Sequence, residues 1–204
     1  MITTSLTDTL LQQLQGPALQ QVAQSLGVDT QQAQGAVGAA LPLLLGALGR
    51  NAQQPQGAEA LLGALQRDHA GGGFDLGGLL GSVLGGGGAN PQTDGAGILG
   101  HVFGSKAPQA ASTLGQATGL GGEKAAQLLQ ILAPIVLSFL AKQFLGGNGQ
   151  ANAAQVSQAL GQEQQHVAQS GVGGLLGSVL DQDGDGQLGV DDLLKIGGSL
   201  FGKR

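Results

Sequence analysis

The chain has 204 residues, the length of one or two domains. Hydrophobic residues make up 41%, enough for a core, but aromatics are 2% with no Trp or Tyr, so Leu, Ile, Val and Ala must fill it. The absence of Cys excludes a disulfide framework and a cysteine nucleophile, and a net charge of −5 with pI near 4.9 argues against a nucleic-acid footprint.

The N-terminus, Met1-Ile2-Thr3-Thr4-Ser5, has no basic region leading into an apolar run. No secretory signal is expected there, and a cytoplasmic location follows as the expectation. Residues 5–15 predict a helix with Leu6, Leu10 and Leu14 on one face. Pro17 suits the first turn of a second helix, with Leu19, Val22 and Leu26 inward and Gly27 ending it. Asp29 followed by Gln32 has the form of a capping box opening a third helix. That helix is apolar on nearly all sides through residues 36–48, which marks a central buried helix. Pro42 should kink it, and the run reads as too short to span a bilayer. Residues 51–57 predict a loop, residues 58–68 a helix, and residues 75–84 an apolar helix, followed by a Gly-rich loop over 85–95. Ile98, Val102 and Phe103 start a further helical turn or two that ends at Gly104.

The second half repeats this order. A helix opens at residues 120–123 and runs to Leu140, with Pro134 corresponding to Pro42. Residues 173–180 repeat residues 77–84 letter for letter, and Ile196-Gly197-Gly198-Ser199-Leu200-Phe201-Gly202 echoes Ile98-Leu99-Gly100-His101-Val102-Phe103-Gly104. The three offsets are 92, 96 and 98 residues, so the halves differ by small loop insertions. This is an internal duplication. The expected fold class is all-α: a duplicated multi-helical unit, residues 1–105 and 106–204, either as two similar domains or as one intertwined pseudo-symmetric domain.

Between the second-half repeats lies Asp181-Gln182-Asp183-Gly184-Asp185-Gly186-Gln187-Leu188-Gly189-Val190-Asp191-Asp192. It fits the twelve-residue calcium loop of an EF-hand, with entering and exiting helices expected at about 172–180 and 190–201. Asp181, Asp183 and Asp185 take the first, third and fifth places, and Gly186 the sixth, where the chain must turn sharply. Gln187 offers its backbone carbonyl, and Asp192 stands last in place of the usual Glu. Asp is one methylene shorter, which lowers the expected coordination and narrows the advantage of calcium over magnesium. Of 13 acids and 8 bases, five acids sit in this loop, so the remainder balances and the whole net charge lies there. Ordinary turn chemistry also favours Asp and Gly. But the first-half counterpart, roughly residues 85–97, manages with a single carboxylate, Asp94.

Ser25-Leu26-Gly27-Val28 before a helix, Leu-Pro-Leu-Leu-Leu at 41–45, Ala-Leu-Leu-Gly-Ala-Leu…Asp-His at 60–69 and Ile-Leu-Gly-His-Val-Phe-Gly at 98–104 carry a family pattern. With Val156-Ser157-Gln158-Ala159-Leu160-Gly161 in the second half, it resembles the YidB-like family of bacterial proteins of unknown function. The resemblance implies an all-helical fold, no assigned activity and no catalytic residues.

Other features read more plainly. Residues 21–33 look like a helix-turn-helix, and residues 114–125 repeat the look, but residues 30–40 lack the Lys or Arg that phosphates require. Gly77, Gly81 and Gly85 form a small-residue stripe that suits a tight helix crossing, self-association or a membrane contact. His69, His101 and His166 are scattered, with no HExxH, triad order or phosphate loop. The sequence therefore points to a non-enzymatic protein binding one divalent cation, calcium with magnesium as the alternative. A self-assembly or interaction module, including a homo-oligomer, is the second reading and DNA binding the third.

Overall fold

The computed structural model describes residues 5–66, 77, 78, 80, 81, 94–145 and 152–169. Helix α1, Leu6–Leu14, begins where the Ser5 hydroxyl accepts the amide of Asp8 at 3.0 Å, a cap worth about 1 kcal/mol. Leu10 and Leu14, one turn apart, are buried. Helix α2, Pro17–Leu26, starts on Pro17 and stops at Gly27, whose φ of 61° is left-handed and natural only to glycine. Leu19, Val22 and Leu26 are buried, as their spacing predicts.

Helix α3, Thr30–Gln53, opens with the Asp29 carboxylate accepting the Gln32 amide at 2.8 Å. The returning half of the capping box is not made. The Gln32 side chain reaches instead to the carbonyl of Gly119. The helix continues through Pro42, and the expected loop at 51–57 reduces to Gln54. Two forces close it. Pro55 occupies the first position of α4, Pro55–Ala64, where a missing amide costs nothing. Asn51 donates through Nδ2 to the carbonyls of His101 and Val102 at 3.3 and 2.9 Å, which holds the last turn of α3 in place.

Gly77, Gly78, Leu80 and Gly81 are helical, with Leu80 fully buried. Helix α5, Gly95–Phe103, leads through a 3-10 turn, Gly104–Lys106, into α6, Ala107–Thr118. Helix α7, Gly122–Leu145, and helix α8, Ala153–Gln169, complete the described residues, among which no strand occurs. Helix α8 was not expected from sequence. Its residues are mostly Ala and Gln, and among its described side chains the buried apolar anchors are Val156 and Leu160.

Helices α3 and α7 form the centre. Each has 24 residues with a proline inside it. Helix α3 touches every other described helix, and α7 touches α2, α3, α5 and α6. Leu41, Leu44 and Leu45 meet Leu128, Leu129, Leu132 and Ile135 in one continuous core, all fully buried. Each such side chain contributes roughly 1.5–3 kcal/mol by leaving water. Helices from before and after residue 105 share this core. By length and composition alone α3 and α7 could cross a membrane, longer than the apolar run suggested, but 72% of each apolar window is buried inside the molecule.

Candidate functional site

Asp181, Asp183, Asp185, Gln187 and Asp192 lie outside the described residues, together with the helices expected on either side of them. Among the described residues, no group of three or more His, Cys, Asp or Glu stands close enough to hold a metal.

The first-half counterpart of the loop contains Asp94, and its carboxylate has a structural task. It caps α5, accepting the Gly97 amide at 2.9 Å. Asp192 lies 98 positions later, at the corresponding place before residues 193–201. One carboxylate therefore suffices to start a helix here. Asp181, Asp183, Asp185 and Asp191 exceed that need.

Helix α8, from which the chain leads toward the loop, is tied down by a buried charge. Glu163 is 5% exposed and is the sole buried charged or polar residue among those described. Its carboxylate accepts the amides of Leu6 and Thr7 at 2.9 and 3.1 Å and the Thr7 hydroxyl. The first turn of α1 has amides with no partner in its own helix, and the positive end of the helix dipole favours an anion there. Glu163 answers both needs from 156 and 157 residues away in sequence. Sequence reasoning missed it, although the signal was present: Val156, Leu160 and Glu163 are spaced to share one helical face.

The two helix corners that look like DNA-reading motifs pack against each other. Lys124 donates through Nζ to the Gly27 carbonyl at 3.1 Å. Gln32 donates through Nε2 to the Gly119 carbonyl at 3.5 Å, and Gln127 reaches the Ser25 carbonyl and hydroxyl at 3.5 and 3.4 Å. Behind the corner, Ala33, Ala36, Val37, Ala40 and Leu41 of α3 are buried, so little of that helix remains to enter a groove. His101 is exposed on α5, with Nδ1 2.9 Å from the Gly97 carbonyl. His69 lies outside the described residues.

A half-open apolar groove of about 210 Å³ lies between α1, α2 and α3. Leu11, Leu14, Leu19, Val37 and Gly38 line it, with the exposed Gln34 at its rim. A Cβ added at Gly38 would meet nothing within 4 Å.

The family model described as a bacterial protein of unknown function (DUF937) matches residues 8–143, more than half of the chain. It agrees with the bacterial family of unknown function that the motifs between residues 25 and 104 resemble, and it ends before the acidic loop. No curated protein and no solved structure matches the chain.

Proposed function

The chain belongs to this bacterial family of unknown function (DUF937), and on that premise we propose that it is a non-enzymatic protein that holds one calcium ion in the loop at residues 181–192. Asp181, Asp183 and Asp185 supply carboxylate oxygens, Gln187 its backbone carbonyl and Asp192 the closing carboxylate. Magnesium is the alternative ion, because Asp192 reaches less far than the usual Glu. The observation that carries this reading is five acids in twelve residues, at EF-hand spacing, in a chain whose other charges balance. The role of Asp94 supports it: the matching turn needs one acid as a helix cap. The ion's task is structural, neutralising the loop and fixing the helices around it.

The duplication belongs to the same proposal. Its support is the likeness of α3 and α7, equal in length with Pro42 and Pro134 at matching places, and the reciprocal corner contact. The second reading is a self-assembly module, favoured by Gly77 and Gly81, both exposed, with Gly81 facing open space. Burial of α3 weighs against DNA reading.

Thermal unfolding followed by far-UV circular dichroism tests the cation, since the chain has no Trp or Tyr for fluorescence. Calcium at a hundred times its dissociation constant adds about 2.7 kcal/mol, several degrees in the midpoint. The rise should vanish in Asp181→Ala. Equal midpoints in chelator, magnesium and calcium would remove the reading, and an oligomer that grows with concentration would then favour self-assembly.

A further inference from the structure

The way α5 sits on α7 has a counterpart elsewhere in the molecule. Pro134 has no amide to donate to the Gln130 carbonyl, one helical turn back. The start of α5 covers that carbonyl: a Cβ on Gly95 would lie 1.9 Å from the Gln130 oxygen, an approach that glycine alone permits. Leu99 and Phe103 of α5 are buried beyond this point. Helix α3 repeats the proline 92 positions earlier. Pro42 cannot donate to the Gly38 carbonyl, and Gly38 corresponds to Gln130. The region around Gly38 is the apolar groove.

A segment that corresponds to α5 also exists. Residues 196–202 echo residues 98–104, and at the same offset Asp192-Leu193 matches Asp94-Gly95. The small residue has changed sides between the two pairs: Gly95 meets Gln130 in one, and Leu193 would meet Gly38 in the other. Leu193 cannot come as close as Gly95 does, because its Cβ would strike the carbonyl. It needs space for a side chain, and the groove beside Gly38 offers that space, lined by Leu11, Leu14 and Leu19. We propose that the groove between α1, α2 and α3 receives residues 193–201 of the same chain, with Leu193 seated beside Gly38.

The inference rests on the duplication proposed above and not on the cation. It nevertheless gives the cation a consequence. Asp192, the last residue of the loop, is joined directly to Leu193. Binding an ion and docking the segment then favour each other, each to the same extent.

A single Trp introduced as Phe201→Trp reads the docking, in a chain with no other Trp or Tyr. At low protein concentration its emission should be that of a buried indole with weak quenching by acrylamide. Adding Gly38→Leu should fill the groove, shift the emission to the red and raise quenching several-fold. The helices should persist in far-UV circular dichroism, because the new side chain enters open space. Gly35→Leu, also in α3 and facing open space but outside the groove lining, should leave the emission unchanged. An indole exposed in both chelator and calcium would overturn the proposal. So would burial that survives Gly38→Leu, or burial that appears only as the chain dimerises, which would assign the groove to a second copy. Burial released by Gly38→Leu without any response to calcium upholds the docking, and a flat thermal midpoint in the same conditions removes the cation reading alone.

Discussion

Gln32 and Lys124 stand 92 positions apart in the sequence, and each donates a hydrogen bond to the glycine that ends the helix before the other. Gln32 reaches the carbonyl of Gly119, where α6 stops with φ 71°, and Lys124 reaches the carbonyl of Gly27, where α2 stops with φ 61°. Each bond is the image of the other under a shift of 92 positions, the reciprocity that the proposed duplication would give. Lys124→Ala should cost about 0.5–1.5 kcal/mol in urea unfolding, the worth of an ordinary hydrogen bond, because water screens the charge of this exposed contact. Gln32→Ala should cost less, since its bond is longer and uncharged. A loss of several kcal/mol from either would mean that the corner holds more than these bonds.

Glu163 joins α8 to the first turn of α1. Glu163→Gln keeps the shape but replaces one acceptor oxygen with an amino group facing donors. It should cost about 1–3 kcal/mol, the cost of leaving buried amides unsatisfied. Glu163→Ala should cost as much or more. Hydrogen exchange at the amides of Leu6 and Thr7 should accelerate in both variants well before the centre of α3 responds. Uniform acceleration throughout the core would contradict a local clamp.

Two glycines of α5 should behave in opposite ways. Gly95→Ala drives a Cβ to 1.9 Å from the Gln130 carbonyl oxygen and must push α5 off α7, with a loss of several kcal/mol. Gly100 is exposed in the same helix and faces open space. Gly100→Ala should therefore be neutral or stabilise by up to about 1 kcal/mol through helix propensity. Equal midpoints for the two variants would mean that α5 does not rest on α7 through Gly95.

Much of the fold can be read from local chemistry. Pro17 and Asp29 start helices, Gly27 stops one, and the apolar length of α3 marks it as central. These signals act within a few residues, so the chain carries them in plain order. Asn51 could not be read in this way. It is a turn-former by local preference, and it stays helical because its amide finds the carbonyls of His101 and Val102, 50 and 51 residues on. Helix α8 hides for a related reason: Val156 and Leu160 give a thin apolar stripe, and the helix is secured by packing on α3 and by Glu163. The acidic loop is legible as chemistry, through the spacing of Asp181, Asp183 and Asp185. The proposed ligands come from one contiguous segment, which is why spacing alone can propose them.

Equilibrium dialysis of the chelator-treated chain against radioactive calcium tests the central claim most directly. One ion per chain is predicted, reduced to background in Asp181→Ala and in Asp183→Ala. No bound calcium, or one ion retained by both variants, would contradict it.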